Sequence, residues 1–597
     1  MLKRVRTGTV ANPPHDVVFV ILTGFLELNR SVPAVRLGAD GLISKPLTPP
    51  VAAQKLSQLF GTDAARDVRS AEYYADKAID DGGALDPEII EDNGNEERRA
   101  FALAMGGEKR LERHRSNGNL DARARLAHLF DDGAMVESGM HARSARAEVR
   151  DKSPADGKVA GFGKVDGRWV AAMSNDFTVM GASSALINGK KMRHLKHVAN
   201  TQGMPLIWMG ESTGARMPDR MGASGRAILG SDPAEYRRLR ETPWVAVQLG
   251  DSYGSLTWYG CMSDFVVMKK GAAMAVASPR VTSLAINQPI DKEDLGGWRM
   301  HTRVSGLVDY ATDTDEEAID LVKKFLSYLP SHSDEAPPVH EIPEGSGADM
   351  ESILDIVPVE RQKVYDVRKV IAAISDKDSL FELKPNYGKT ATTAFTRIAG
   401  RSVGVIANNP MFKGGAIDPD GCNKVTSFMV LCDSFNIPIV MLVDVPGFLI
   451  GVDGERIGAP GRIMNWMNAL QLVTVPKISI ILRKSYGQAY LNMGGGQNSD
   501  EVALWPSADL GFMDPRVGVN VVYGITREDD PEEFERRVAE LDRDSEPWEL
   551  AELYEAQEVI DPRETRQYLI DMLEIYRGRM SGGLSQHLLS SWPTSYV

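Results

Sequence analysis

One spacing constrains the fold of this 597-residue chain more than any motif does. Pro205 and Pro438, Gly214 and Gly447, Asn175 and Asn408, Gly167-Arg168 and Gly400-Arg401, and the triplets Ser252-Tyr253-Gly254 and Ser485-Tyr486-Gly487 all lie 233 positions apart (438 − 205 for the first pair). A single offset held from Gly167 to Gly254 points to two copies of one domain, which fixes architecture before chemistry is considered.

The framework of the repeat is clearest from Asn436 to Gly451, NIPIVMLVDVPGFLIG. The apolar run Ile439 to Val443 leads into Asp444, Pro446 and Gly447, the pattern of a buried parallel strand ending in a turn that exposes N–H groups to an anion. Its upstream counterpart is GMPLIWMGESTGARM, Gly203 to Met217. Before each strand the periodicity predicts a helix. Lys190 to Gly203 places Met192, Leu195 and Val198 on one face, and Asn423 to Asn436 does so with Val425, Phe428, Met429, Cys432 and Phe435. Gly203 and Asn436 stop these helices just ahead of Pro205 and Pro438. Strands alternating with helices predict an α/β fold with right-handed crossovers.

A net charge of −14 gives no reason to expect nucleic acid or an anionic membrane as partner. No apolar run approaches the roughly 20 residues of a membrane helix, and no secretory leader is expected. Cys261, Cys422 and Cys432 show no C-x-x-C spacing, so neither a zinc ribbon nor a disulfide framework is expected, and a reducing cytoplasm fits. The acidic stretch Asp76 to Glu97, the pair Pro337-Pro338 and the run Ile342 to Gly347 read as linkers. They divide the chain into residues 1–75, 76–335 and 336–597.

Two resemblances follow from particular stretches. VVFVILTG, with Thr23, and DGLISKP, with Lys45-Pro46, resemble the last third of a response-regulator receiver domain. The earlier strands that would carry the phosphoacceptor are absent, so no phosphorylation switch is expected. Beyond residue 100 nearly the whole chain resembles the carboxyltransferase (beta) subunits of biotin-dependent acyl-CoA carboxylases, of the propionyl-CoA carboxylase type. The stretches that carry this are GGEKRLERHRSNGNLDARARLAHLFDDGAMVES (Gly106 to Ser138), STGAR (Ser212 to Arg216), DLGGWRMHTRVSGLVD (Asp294 to Asp309), VPGF (Val445 to Phe448) and RKSYGQAYLNM (Arg483 to Met493). The resemblance implies two tandem crotonase-like domains related by duplication, the first for acyl-CoA and the second for biotin. It also implies biotin carried on a separate carrier protein, a biotin carboxylase or carrier subunit as partner, no metal in this subunit, and a homo-oligomer from dimer to hexamer.

By the same resemblance the acyl-CoA oxyanion hole falls at Thr213 and Gly214, where the family usually has Gly-Gly. The biotin-side hole falls at Gln488 and Ala489, where it usually has Gly-Ala. Ser212, Ala215, Arg216 and Leu491 are implied along the acyl-CoA, with Arg216 either on CoA phosphates or in a structural salt bridge. Gly447, Phe448, Tyr486 and Gly487 are implied around biotin. Thr213 and Gln488 are expected to forfeit positive φ and narrow the approach of a ligand. Arg462-Ile463-Met464 and Met513 to Val519 also depart from the family pattern, which points to a distinct acyl group. Gly494 to Gly496 is expected as a surface loop. A rival is a serine hydrolase, because Gly210 to Gly214 and Gly250 to Gly254 both fit G-x-S-x-G, with His301 downstream. Val445 replaces Ser212 in the second copy, which weakens it. The same motifs also fit a biotin-dependent acyl-CoA decarboxylase, which runs the half-reaction in reverse, and a non-catalytic scaffold of a carboxylase complex.

Overall fold

The computed structural model describes residues 20–23, 41–44, 94–223, 225, 232, 234–580 and 586–593. It forms two compact units, 1–97 and 98–597. In the first, β1 (Val20–Thr23) and β2 (Gly41–Ser44) pair in parallel, as the two strands expected there. Lys45, Pro46 and the helix expected near residues 50 to 60 lie outside the described residues.

The second unit carries two mixed sheets of the same design. The first is built from β3 (Met135–Glu137), β4 (Lys158–Val165), β5 (Arg168–Asn175), β6 (Leu206–Ser212), β7 (Trp244–Tyr253), β8 (Phe265–Lys269), β9 (Met274–Ala275) and β10 (Tyr310–Thr312). Its order is β3-β4-β5-β6-β7-β8-β10, with β9 beside β7. The second repeats that order with β11 (Phe381–Leu383), β12 (Ala391–Ile398), β13 (Arg401–Asn408), β14 (Ile439–Val445), β15 (Lys477–Tyr486), β16 (Glu501–Leu504), β17 (Asp509–Gly511) and β18 (Glu558–Val559). In both, an antiparallel hairpin opens a parallel run. The hairpin turns use Asp166-Gly167 and Ala399-Gly400, all at positive φ, as two-residue turns matched to strand twist require.

The duplication is kept to the single residue. A register shift falls between Gly210 and Ser212 in the β6–β7 pair and between Val443 and Val445 in the β14–β15 pair. Isolated parallel bridges join Ser184 to Ala215 and Ile417 to Phe448.

Eight helices position the site: α1 (Ala122–Leu129), α2 (Leu186–Gln202), α3 (Ser255–Met262), α4 (Asp315–Leu326), α5 (Pro419–Ser434), α6 (Ala459–Leu472), α7 (Gly487–Asn492) and α8 (Pro515–Tyr523). Helix α2 ends at Gly203 with φ 70°, and the chain after α5 turns through Asn436 with φ 59°, the paired stops the sequence predicts. Both helices start earlier than the periodicity indicates. Asp418 caps α5 by accepting from the Gly421 N–H, with Pro419 in the first turn. An aromatic stack joins the two sheets. Phe265 lies 4.4 Å from Phe325, Tyr310 lies 5.6 Å from Phe381, and Tyr328 lies 5.7 Å from Phe395.

Gly494 and Gly495 correct one expectation, since both are buried rather than on a surface loop. A Cβ on Gly495 would fall 2.1 Å from the Tyr490 ring, and one on Gly494 would meet Met441 at 2.5 Å. Close backbone packing, not mobility, accounts for these glycines.

Candidate active site

Three turns at the carboxyl ends of parallel strands hold all the predicted site residues. Ser212 to Arg216 follows β6, Gly447 and Phe448 follow β14, and Tyr486 to Leu491 runs from β15 into α7. The last two are neighbours, because Val445 of β14 pairs with Ser485 of β15. The first turn belongs to the other sheet.

Backbone conformation at these turns removes the expected obstruction by Thr213 and Gln488. Neither is among the residues at positive φ; Gly214 at 90° and Gly487 at 56° take that conformation instead. The glycines that were kept are the ones the backbone needs. The Thr213 methyl packs over Gly181, where a Cβ would fall 2.7 Å from it. Gln488 does not lie across the turn either, because its amide donates to Asn492 Oδ1 at 3.0 Å, one helical turn along α7.

The N–H groups are unequally committed. Thr213 N–H donates to the Gly181 carbonyl at 3.0 Å, and Gly214 N–H to Ser212 Oγ at 3.2 Å. Ala215 N–H has no acceptor among the described residues, and neither does that of Phe448; Gln488 and Ala489 stand in the first turn of α7, where N–H groups have no intrahelical acceptor. In the β6 turn the donors open to a ligand are therefore Ala215 and, by displacing a long hydrogen bond, Gly214, one residue later than the Thr213-Gly214 pair.

Buried charges hold the β6 turn from behind. The Arg216 guanidinium, 4% exposed, donates to Asp156 Oδ1 at 2.8 Å and to the Ser183 carbonyl at 3.2 Å. It points into the body of the protein. Glu211 pairs with Arg125, which also reaches Asp315, both at 2.8 Å and all three buried. Breaking such a network would leave an unpaired buried charge, at about 3–5 kcal/mol. In the second copy Asp444 occupies the place of Glu211 and pairs with Arg483 at 2.7 Å. Here the cation comes from the neighbouring strand, whereas Gly250 fills the matching position of the first copy.

In the second copy, the Phe448 ring packs edge-on against Trp466, 5.9 Å between centroids. The Tyr486 hydroxyl donates to Asp509, which also pairs with Arg361 at 2.7 Å. Burial and that carboxylate push the Tyr486 phenol well above its ordinary value. A Cβ on Gly447 would meet nothing within 4 Å, so the space over this turn is open.

A cavity of about 810 Å³ adjoins Gly181 and Glu211. Arg110, Arg113, His114, Lys269, Lys270 and Lys292 line it against two acids, Glu211 and Asp251. The sequence reading missed it, because its cations come from three separated stretches. Lys269 is held by Asp315 at 2.7 Å and by the Gly118 carbonyl. Among the described residues no group of three or more His, Cys, Asp or Glu could hold a metal ion, and no helix is long and apolar enough to cross a membrane.

The hydrolase geometry does not assemble. Ser212 Oγ donates to the Ala182 carbonyl at 3.2 Å, while the His301 ring nitrogens engage Ser305 Oγ and the Met274 carbonyl. Burial lowers the His301 pKa.

Comparison with known proteins places these turns in context. The family described as Carboxyl transferase domain matches residues 113–581. The methylmalonyl-CoA carboxyltransferase 12S subunit of Propionibacterium freudenreichii subsp. shermanii is 35% identical over 493 residues, 80% of this chain and 93% of that one. The propionyl-CoA carboxylase carboxyltransferase subunit of Haloferax mediterranei is 32% identical over 496 residues, 81% of this chain and 95% of its own. The crystal structure of the transcarboxylase 12S hexamer, with methylmalonyl-CoA and methylmalonic acid bound, matches at a TM-score of 0.76 and 33% identity, covering 83% of this chain and 97% of that one.

Proposed function

The chain belongs to the carboxyl transferase domain family and is an acyl-CoA carboxyltransferase subunit of the biotin-dependent kind; from that premise we propose how its residues divide the work. Residues 76–335 form the acyl-CoA half and residues 336–597 the biotin half. The N–H groups of Gly214 and Ala215 hold the thioester oxygen as it gains charge, with Ser212 and Thr213 shaping the turn. The cations of the adjoining cavity take the CoA phosphates, a role for which the buried Arg216 is not placed.

Biotin arrives on a separate carrier subunit. When bound, carboxylated biotin would supply the carboxylate and, after its transfer, the nitrogen that takes the α-proton. Gln488 and Ala489 would present N–H groups to the ureido oxygen. Gly447 leaves room for the ring beside Phe448, and Tyr486 and Gly487 fix the start of α7. Leu491, half-buried on α7, faces the acyl group.

Both turns are flanked by exposed apolar side chains. Met217 and Met221 border the first, while Ile450, Val452 and Phe512 border the second. A second copy covering these flanks would bring the acyl-CoA half of one subunit to the biotin half of another, giving a dimer or higher oligomer in the cytoplasm.

One observation carries this reading: strand-exit turns in both copies keep N–H groups without acceptors among the described residues, at Ala215 and Phe448, while Ser212 and Ser252 bond to main-chain carbonyls rather than to His301. The test is carboxyl transfer from methylmalonyl-CoA or malonyl-CoA to free biotin, followed by mass spectrometry. Carboxybiotin formed only with the chain present supports the assignment. CoA binding without any transfer, across a panel of carboxylated thioesters, would favour the scaffold.

A further inference from the structure

A second, smaller cavity of about 180 Å³ adjoins the β6 turn at Ala215. Ala215, Gly254 and Ser255 line it beside the turn, together with Met192, Trp258, Tyr259 and Arg193. The Ser255 and Ser184 hydroxyls satisfy each other at 2.6 Å, so neither demands a polar ligand. Arg220 and Glu235 line the cavity too.

Two small residues hold this space open. Gly189 lies inside α2, where glycine disfavours the helix, yet a Cβ there would meet nothing within 4 Å. Packing does not require glycine at that position; the cavity does. Its counterpart in the second copy is Cys422, 1% exposed in the core. Ala215 corresponds to Phe448, whose ring fills its surroundings by packing on Trp466. At both positions the second copy carries a larger side chain than the copy assigned to acyl-CoA.

We propose that this cavity receives the hydrocarbon tail of the acyl group, and that the chain acts on acyl-CoA thioesters longer than propionyl. The inference rests on the assignment of the β6 turn to the thioester. With the thioester oxygen on Gly214 and Ala215, the α-carbon stays beside the turn and the tail beyond the β-carbon passes Gly254 to reach Trp258 and Tyr259. A cavity of about 150 Å³ holds a benzene ring. One of about 180 Å³ accepts a chain or ring of roughly six carbons.

Calorimetry on the full chain with CoA, propionyl-CoA and octanoyl-CoA tests this. Octanoyl-CoA is expected to bind at least about tenfold tighter than propionyl-CoA, because several methylenes leave water. Gly189→Leu, which fills the cavity from a helix position that favours leucine, is expected to reduce that ratio to about twofold or less. Trp258→Ala, which widens the cavity, is expected to extend the preference to dodecanoyl-CoA, and it decides the matter if Gly189→Leu does not fold. Equal affinity for propionyl and octanoyl thioesters in the unaltered chain, or a preference untouched by both substitutions, overturns the tail assignment while leaving CoA binding intact. No binding of CoA or of either thioester removes the thioester assignment itself, and the tail site with it.

Discussion

Asn175 donates its side-chain amide to the main-chain carbonyl of Glu211 across 2.9 Å, while its own amide oxygen accepts from the Lys158 ammonium at 2.8 Å. Its counterpart Asn408 donates to the Asp444 carbonyl and accepts from the Asp444 N–H at 2.8 Å. Each asparagine ties the end of one strand to the irregular residue from which the next turn leaves. Asn175→Ala would remove the donor to a buried carbonyl and leave Lys158 with the longer 3.4 Å bond to the Ala182 carbonyl, and is expected to cost about 2–4 kcal/mol. A urea titration measures the loss, and transfer activity should fall with it because the β6 turn loses its anchor.

Lys158 gives a pH signature. Burial lowers its pKa to about 7, against the pull of Asp156. The unfolded chain keeps this ammonium charged up to about pH 10.4. Between those values the folded state binds fewer protons, so this group makes stability rise with pH. Compared with Lys158→Met, the unaltered chain should therefore gain stability from pH 7 to pH 10, by a few kcal/mol in total. Denaturant midpoints of both proteins across that range give the difference, and a flat difference refutes the assignment.

Gly214→Ala tests the first turn. The position has φ 90°, and a Cβ would fall 3.2 Å from the Tyr253 carbonyl. The strain is about 1–2 kcal/mol, with the N–H displaced from its direction. Losing one oxyanion donor lowers turnover by about 10²–10³-fold. Transfer to free biotin should fall in that range while CoA binding, proposed to use the basic cavity, changes little.

At Gln488 the side chain and the main chain can be separated. Gln488→Ala leaves the N–H in place and should retain activity within about threefold, since the side chain only ties back to Asn492. Gln488→Pro removes the N–H at a first-turn position where proline is tolerated. Its transfer rate should drop by about 10²-fold with little change in melting temperature. Equal rates for the two variants would exclude the N–H as a donor to biotin.

Ile450 and Phe512 are 89% and 81% exposed beside the turns proposed to receive biotin. Isolated hydrophobic residues on a surface are ordinary, but clusters flanking a half-site mark an interface. Phe512→Asp together with Ile450→Asp is expected to yield monomers by light scattering. Those monomers should bind CoA and fail to transfer carboxylate.

The 233-residue offset, legible in prolines, glycines and paired triplets, determined that one α/β design occurs twice. It located the helix stops at Gly203 and Asn436 and the strand-exit turns at Gly214 and Gly447, because such positions depend on local backbone preferences written residue by residue. Motifs likewise picked out the turns on which the proposed site rests. What tertiary structure alone decided was which groups face one another. Whether Thr213 or Ala215 has a free N–H depends on the Gly181 carbonyl, some thirty residues away. The destination of the Arg216 charge depends on Asp156, and the basic cavity gathers cations from stretches that share no pattern. Hydrogen bonds and ion pairs act over a few ångströms of space, so their partners follow from how strands and helices pack rather than from spacing along the chain. The cavity beside Gly189 arises in the same way, from one absent side chain in α2 meeting a small residue of the β6 turn.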